Sequence, residues 1–282
     1  MTGSPARPAP LRQTDADELA VRRALDYAGP MARQGGGRVN AVFRLGDRVA
    51  KLYRPNGGTP LFPNDPDAEW RALLALAPAA LAPRPLYRTA TPRGDLITYA
   101  HIPGDPGCAQ PAAVAGLLGR LHSQAPWRGL RQAVTGPMID GAAAGMIADT
   151  DPLHGHRPPQ AAAAPIRQTP IHRDPVPANI ISGRQKVCLI DYQCPALGDP
   201  AEDLAHFLSP AMQLLYGQGP LSATDIAAFL KAYPHADIRD HYARIARSLH
   251  WRMACYCQWQ HDQGNGDYAA ARDAEIAFLS RL

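Results

Sequence analysis

The chain of 282 residues is long enough for one large domain or for two lobes with a cleft between them. With 46% hydrophobic and 19% charged residues it reads as a folded globular chain, and no apolar run approaches the roughly 20 residues that a bilayer-spanning helix needs. The formal charge of +4 is spread along the chain, without the clustered basic stretch of a nucleic-acid binder. The start of the chain lacks the apolar core of a secretory signal, and five cysteines from Cys108 to Cys257 fit reduced thiols better than a disulfide framework. These features lead us to expect a cytoplasmic protein that binds neither membrane nor nucleic acid; its oligomeric state is not legible.

Residues 1–12 are proline-rich and read as a flexible tail. Thr14, Asp15, Asp17 and Glu18 then supply the cap and acidic first turn of a helix running to about Tyr27. Strand-like runs at 38–45 and 48–53 flank Leu45-Gly46-Asp47-Arg48, which has hairpin turn chemistry and sets Val49, Lys51 and Tyr53 on one face. After a Pro- and Gly-containing loop, 67–76 reads as an amphipathic helix with an acidic start, stopped by Pro78. A strand at 96–99 leads into Ile102-Pro103-Gly104, where we place a boundary between an amino-terminal lobe, 13–100, and a carboxy-terminal lobe, 101–282. Beyond it the pattern predicts a helix over 112–123, a low-complexity loop over 150–169, and two closing helices near 223–232 and 238–262.

The strongest chemical signal is Ile171-His172-Arg173-Asp174-Pro175-Val176-Pro177-Ala178-Asn179-Ile180-Ile181, followed by Val187-Cys188-Leu189-Ile190-Asp191. An aspartate can accept the proton of an attacking hydroxyl, an Asn five residues later can turn back to a metal, and a second carboxylate at a strand end completes that metal site. The apolar pairs around Ser182-Gly183-Arg184-Gln185 predict a hairpin that holds Asn179 and Asp191 side by side at its open end. An ordinary polar loop with His and Asp in turn positions is the plainer alternative.

On His172-Arg173-Asp174 through Asn179, Ile190-Asp191-Tyr192 and Gly198-Asp199-Pro200-Ala201-Glu202-Asp203-Leu204-Ala205, the chain resembles the aminoglycoside phosphotransferase and choline kinase superfamily. The resemblance runs from about Gly35 to Leu208. It implies an α+β, two-lobed, protein-kinase-like fold, with a small β-rich amino-terminal lobe, a larger helical carboxy-terminal lobe and an ATP cleft between them. It further implies ATP as donor, Mg²⁺ as cofactor and a small-molecule hydroxyl as acceptor, choline-, thiamine- or aminosugar-like.

Carried over by residue, the resemblance makes Asp174 the catalytic base and Asn179 and Asp191 the Mg²⁺ ligands. Lys51 then steadies the nucleotide phosphates and Glu69 pairs with Lys51, while Ala100 and Ile102 flank the nucleotide at the lobe boundary. His172 and Asp203 become supports of the catalytic loop. Gly35-Gly36-Gly37-Arg38-Val39-Asn40 resembles the family's phosphate-covering turn, with Gly37 and Asn40 as nucleotide contacts, although Asn40 stands where protein kinases carry a third glycine. Asp191 is followed by Tyr192-Gln193 rather than Phe-Gly, which argues against proteins as substrates.

Trp251, Cys255 and Trp259 recur at helical spacing with Asp262 near the same face; they suit either a pocket for a cationic acceptor or plain core packing. Cys255, Cys257 and His261 are poorly placed for zinc, because thiols two apart on a helix point in different directions. The rival to an enzyme is a catalytically silent nucleotide-binding sensor or partner protein. The presence of Asp174, Asn179, Asp191 and Lys51 together favours the enzyme. Nucleotidyl transfer through the same site is a further chemistry that no residue calls for.

Overall fold

The computed structural model describes residues 13–35, 39–107, 109–136, 138–159, 167–183 and 187–282. The described residues form two compact units, one from those up to Gly57 together with Pro85–His101, the other from those of Gly58–Arg84 together with those of Ile102–Leu282.

The first unit holds helix α1 (Gln13–Leu25) and strands β1 (Ala32–Arg33), β2 (Ala41–Leu45), β3 (Arg48–Leu52), β4 (Pro85–Thr91) and β5 (Gly94–Ala100). They form one antiparallel sheet in the order β1-β2-β3-β5-β4. The β2–β3 hairpin closes through Gly46 at a φ of +60°, a conformation open to glycine. Apolar residues of period two, Ala41, Phe43, Leu45, Ala50, Leu52 and Leu96, line one sheet face, and Val21 of α1 packs into the cluster they make. Asp17 fixes the helix at its polar end: it is buried, and Arg93, Arg54 and Arg33 reach it from three separate segments. Strand β4 has no counterpart among the sequence expectations, because its half-buried residues do not alternate.

The second unit contains helices α2 (Pro66–Leu76), α3 (Pro111–His122), α4 (Met138–Ala144), α5 (Ala201–Leu208), α6 (Pro210–Tyr216), α7 (Ala223–Ala232), α8 (Ala236–Asp262) and α9 (Tyr268–Leu279). Two three-stranded sheets lie among them. One runs β10 (Val187–Leu189), β9 (Ile180–Ser182), β6 (Asp105–Pro106); the other runs β7 (Arg131–Gln132), β11 (Ala196–Gly198), β8 (Thr169–Ile171). Helix α2 starts as its composition dictates: the Asp65 carboxylate accepts from the backbone of Asp67 and Ala68, and Pro66 stands where no N–H is needed. The helix ends at Leu76 and tightens into a 3-10 turn over Ala77–Ala79 that contains Pro78.

The segment 58–84, read from the sequence as part of the amino-terminal lobe, belongs to this second unit. Asp65 N–H donates to Gln193 O (3.1 Å), the Tyr192 hydroxyl to Leu81 O (3.0 Å) and the Arg173 guanidinium to Leu61 O (2.9 Å). The chain does not close with α8: α9 follows and packs along it, and α4, α5 and α6 are likewise additional to the sequence expectations.

Two of the apolar clusters among the described residues pack these helices. One gathers Leu61, Phe62, Val176, Cys194, Met212, Met253 and Tyr256, and the other gathers Ala143, Ile147, Leu153, Trp251, Cys255 and Leu279. Among the described residues no helix is long and apolar enough to cross a membrane.

Candidate active site

The segment 172–179 leaves β8 and re-enters β9, so its two ends are held by different sheets. His172 locks the loop from within. Its Nε2–H donates to Ile190 O (3.0 Å) while its Nδ1 accepts from Asp174 N–H (3.2 Å), a pattern that requires the neutral ring with its proton on Nε2. Tyr192 lies against the ring, centroids 4.4 Å apart, and both side chains are fully buried.

Asp203, in the first turn of α5, takes up the backbone of the same loop. Its Oδ2 accepts from His172 N–H (2.8 Å) and its Oδ1 from Arg173 N–H (2.7 Å). Burial alone would push this carboxyl up, but the hydrogen bonds from His122 and the His172 backbone outweigh it and hold the group below the usual carboxylate range. Arg173 itself adopts a φ of +70°.

Asn179 connects Asp174 and the hairpin. Its Nδ2 donates to Asp174 O (2.9 Å) and Asp174 Oδ2 (3.1 Å), which aims the Asp174 carboxylate, and its backbone carbonyl accepts from Ile190 N–H (2.9 Å). The β9–β10 register pairs Ile180 with Leu189, so Asn179 and Asp191 emerge at the same end of the hairpin. Asp191 leaves the strand at a φ of +66°. One amide and one carboxylate oxygen form a hard donor set that suits Mg²⁺, a cation that keeps most of its shell for phosphate oxygens and water. Among the described residues no three His, Cys, Asp or Glu side chains gather as a metal set.

In the first unit, Lys51 is buried on β3 with its ammonium 4.8 Å from the Tyr53 ring centroid. Asn40 is also buried, and its Oδ1 accepts from Arg54 N–H (3.1 Å), a bond that ties the entry of β2 to the exit of β3. Ala100 ends β5 opposite Arg48. Gly37 lies outside the described residues. Glu69 and Ile102 belong to the second unit, where Glu69 is buried in the first turn of α2.

The proposed cation pocket on α8 does not form. Trp251 is fully buried in the cluster with Leu153 and donates its indole N–H to Leu153 O (2.8 Å), whereas Trp259 packs with the other cluster beside Tyr256. Asp262 is exposed and accepts from Gln258 (2.8 Å). Helical spacing aligned the three along the sequence, but the two tryptophans fill separate cores and the carboxylate faces solvent. Cys255 and Cys257 are buried free thiols and His261 is exposed, so they make no shared site.

Sequence reasoning missed His122 and Tyr233. His122 Nε2–H donates to Asp203 Oδ2 (3.0 Å), and the Tyr233 hydroxyl lies 2.6 Å from His122 Nδ1. The only local signal was a histidine closing an otherwise apolar helix.

An aspartate oriented by an amide, an amide and a carboxylate at one end of a hairpin, and a loop anchored from α5 lie together on an α+β fold. The chain belongs to the phosphotransferase enzyme family (APH), whose family model matches residues 32–247. Among solved structures it is similar to a choline/ethanolamine kinase family protein from Mesorhizobium loti, at 18% identity over 94% of both chains with a TM-score of 0.65. It is similar also to the choline kinase LicA from Streptococcus pneumoniae, at 16% identity over 95% of this chain and 100% of that one, TM-score 0.68. A third is the spectinomycin phosphotransferase APH(9)-Ia in complex with ADP and spectinomycin, at 12% identity over 93% of both, TM-score 0.58. No curated protein matches the sequence.

Proposed function

We propose that the chain transfers the γ-phosphoryl group of Mg²⁺-ATP to a hydroxyl of a small molecule. The observation that carries this reading is the bond pair from Asn179 Nδ2 to Asp174, which couples the proton acceptor to the residue that would hold the cation. Asp174 accepts the proton as the acceptor oxygen attacks the γ-phosphorus; the new O–P bond forms as the bond to the β-phosphate oxygen breaks, and ADP departs. Asn179 and Asp191 would hold Mg²⁺, which neutralises charge on the phosphates when bound. Lys51 is assigned to the donor phosphates, and Asn40 and Ala100 to the nucleotide's surroundings. The loop needs no chemistry of its own beyond placing these groups, because phosphoryl transfer is governed by position and electrostatics.

For the acceptor we propose a small alcohol that is choline-, thiamine- or aminosugar-like. Support comes from structures of similar fold described as choline kinases and as a phosphotransferase holding spectinomycin.

The test is ADP release from Mg²⁺-ATP across choline, ethanolamine, thiamine, sugars and aminoglycosides. Turnover on one of them should fall by about 10²–10⁴-fold in Asp174→Ala, the usual worth of a positioned base, with ATP affinity nearly unchanged. An Asp174→Ala variant that turned over normally would remove the base. Clear ATP binding with no turnover on any acceptor would favour the silent sensor.

A further inference from the structure

Asp203 holds the catalytic loop, yet a carboxylate can rotate about its own bonds, so something must set its plane. Three donors do so. Two are the backbone N–H groups of His172 and Arg173, and the third is His122 Nε2–H, which shares Oδ2 with His172 N–H. His122 in turn has its far nitrogen occupied by the Tyr233 hydroxyl at 2.6 Å, with the two rings edge-on at a centroid distance of 5.8 Å.

All the groups involved are buried: His122 is 1% exposed, Asp203 and Tyr233 are at 0%. Water therefore cannot replace a missing partner cheaply, and each removed donor leaves an unmet acceptor in a low-dielectric interior. His122 ends α3, Asp203 begins α5, and Tyr233 follows α7, so the chain of bonds crosses three elements that are remote in sequence.

We infer that His122 and Tyr233 are positioning residues of this site, a relay in which the Tyr233 hydroxyl fixes the His122 ring so that its Nε2–H holds Asp203 in the one orientation that seats Asp174. The inference rests on the phosphotransferase reading for its consequence in turnover, but not for its consequence in structure. Burial and the Asp203 charge both drive the Tyr233 phenol well above its ordinary range, so it stays a hydroxyl at every working pH.

The relay predicts a graded response. Tyr233→Phe keeps the ring and deletes one hydroxyl; the backbone amides of His172 and Arg173 should then exchange hydrogen about tenfold faster, as expected for one lost hydrogen bond, while amides in β2 and β3 are unchanged. With an acceptor that the wild type uses, kcat should fall about tenfold and the KM for ATP by less than twofold, because the defect lies in aiming the base. His122→Leu should multiply both effects, and His122→Gln, whose amide can still donate to Asp203, should recover part of them.

Unchanged exchange at His172 and Arg173 in Tyr233→Phe would overturn the relay, as would a loss of thermal stability with exchange raised uniformly across the second unit. Should His122→Leu fail to fold, the Tyr233→Phe exchange measurement decides alone. A wild type with protected amides and no turnover on any acceptor would sink the kinase reading while leaving the exchange result to judge the relay.

Discussion

Arg173 and Asp191 each hold a backbone conformation that costs a side-chain-bearing residue about 1–3 kcal/mol. Both lie within two residues of a group assigned to chemistry, which is where such strain persists because the surroundings impose it. Asn tolerates the left-handed region nearly as well as Asp. Asp191→Asn should therefore fold with its thermal midpoint little changed, yet require about tenfold more Mg²⁺ for half-maximal nucleotide binding, since a neutral oxygen replaces a charged one. Equal Mg²⁺ dependence in the two proteins, measured by titration calorimetry, would remove Asp191 from the cation site. Gly94 makes the opposite demand. Its φ is +130°, and a β-carbon there would stand 1.9 Å from the Tyr53 carbonyl oxygen, so Gly94→Ala should lower stability by about 2–4 kcal/mol, read as a lower urea midpoint for the first unit.

Among the elements of the second unit, α9 is joined to its neighbours by Glu275, which accepts from the Ser209 hydroxyl, from Ala211 N–H (3.3 Å) and from His250 Nδ1–H (2.8 Å). These donors come from α6, its cap, and α8, all packed without water access around a fully buried carboxylate. Glu275→Ala orphans all three donors and should cost about 3–5 kcal/mol, the range for breaking a buried charged network, visible as a fall in thermal midpoint. A fall within the range of surface substitutions would mean that α9 is held by its apolar face alone.

The same helix shows where sequence reading stops. The 172–179 loop and the β9–β10 hairpin were legible as structure because their apolar runs, turn residues and His-x-Asp spacing all lie within about twenty consecutive positions. Helix α9 does carry local marks, Asp267 after Gly264-Asn265-Gly266 and buried Tyr268, Ala271 and Leu279 at helical spacing, but its packing partners on α6 and α8 are marked by nothing local. Asp203 was legible through its motif, but its bond to His122 spans 81 positions and the bond onward to Tyr233 spans 111. Tryptophan spacing on α8 was legible too and misled, since a periodic stripe cannot say which core each ring enters.

At the scale of the molecule, buried titratable groups set how stability depends on pH. His206 is held neutral down to about 3 from an ordinary 6.5, first by burial and then by the Arg252 cation. Between those two values the unfolded chain binds a proton that the native chain refuses, so stability falls as the pH drops through that window, by about 1.4 kcal/mol per pH unit for one proton. Asp203 acts in the same direction at lower pH. Its folded value lies below 3.8, the net of a burial effect that raises it and the stronger hydrogen bonds from His122 and the His172 backbone that lower it, so its stabilisation is complete above 3.8 and is lost as the pH falls through the folded value. Urea midpoints at pH 7, 5.5 and 4.5 should decline progressively. His206→Leu should reduce the slope between pH 6 and 4 by about one proton, because the unfolded chain then has one fewer group to protonate. A wild-type slope retained in that variant would show that His206 takes its proton in the native state, and that the interior beside Arg173 and Arg252 is open to water.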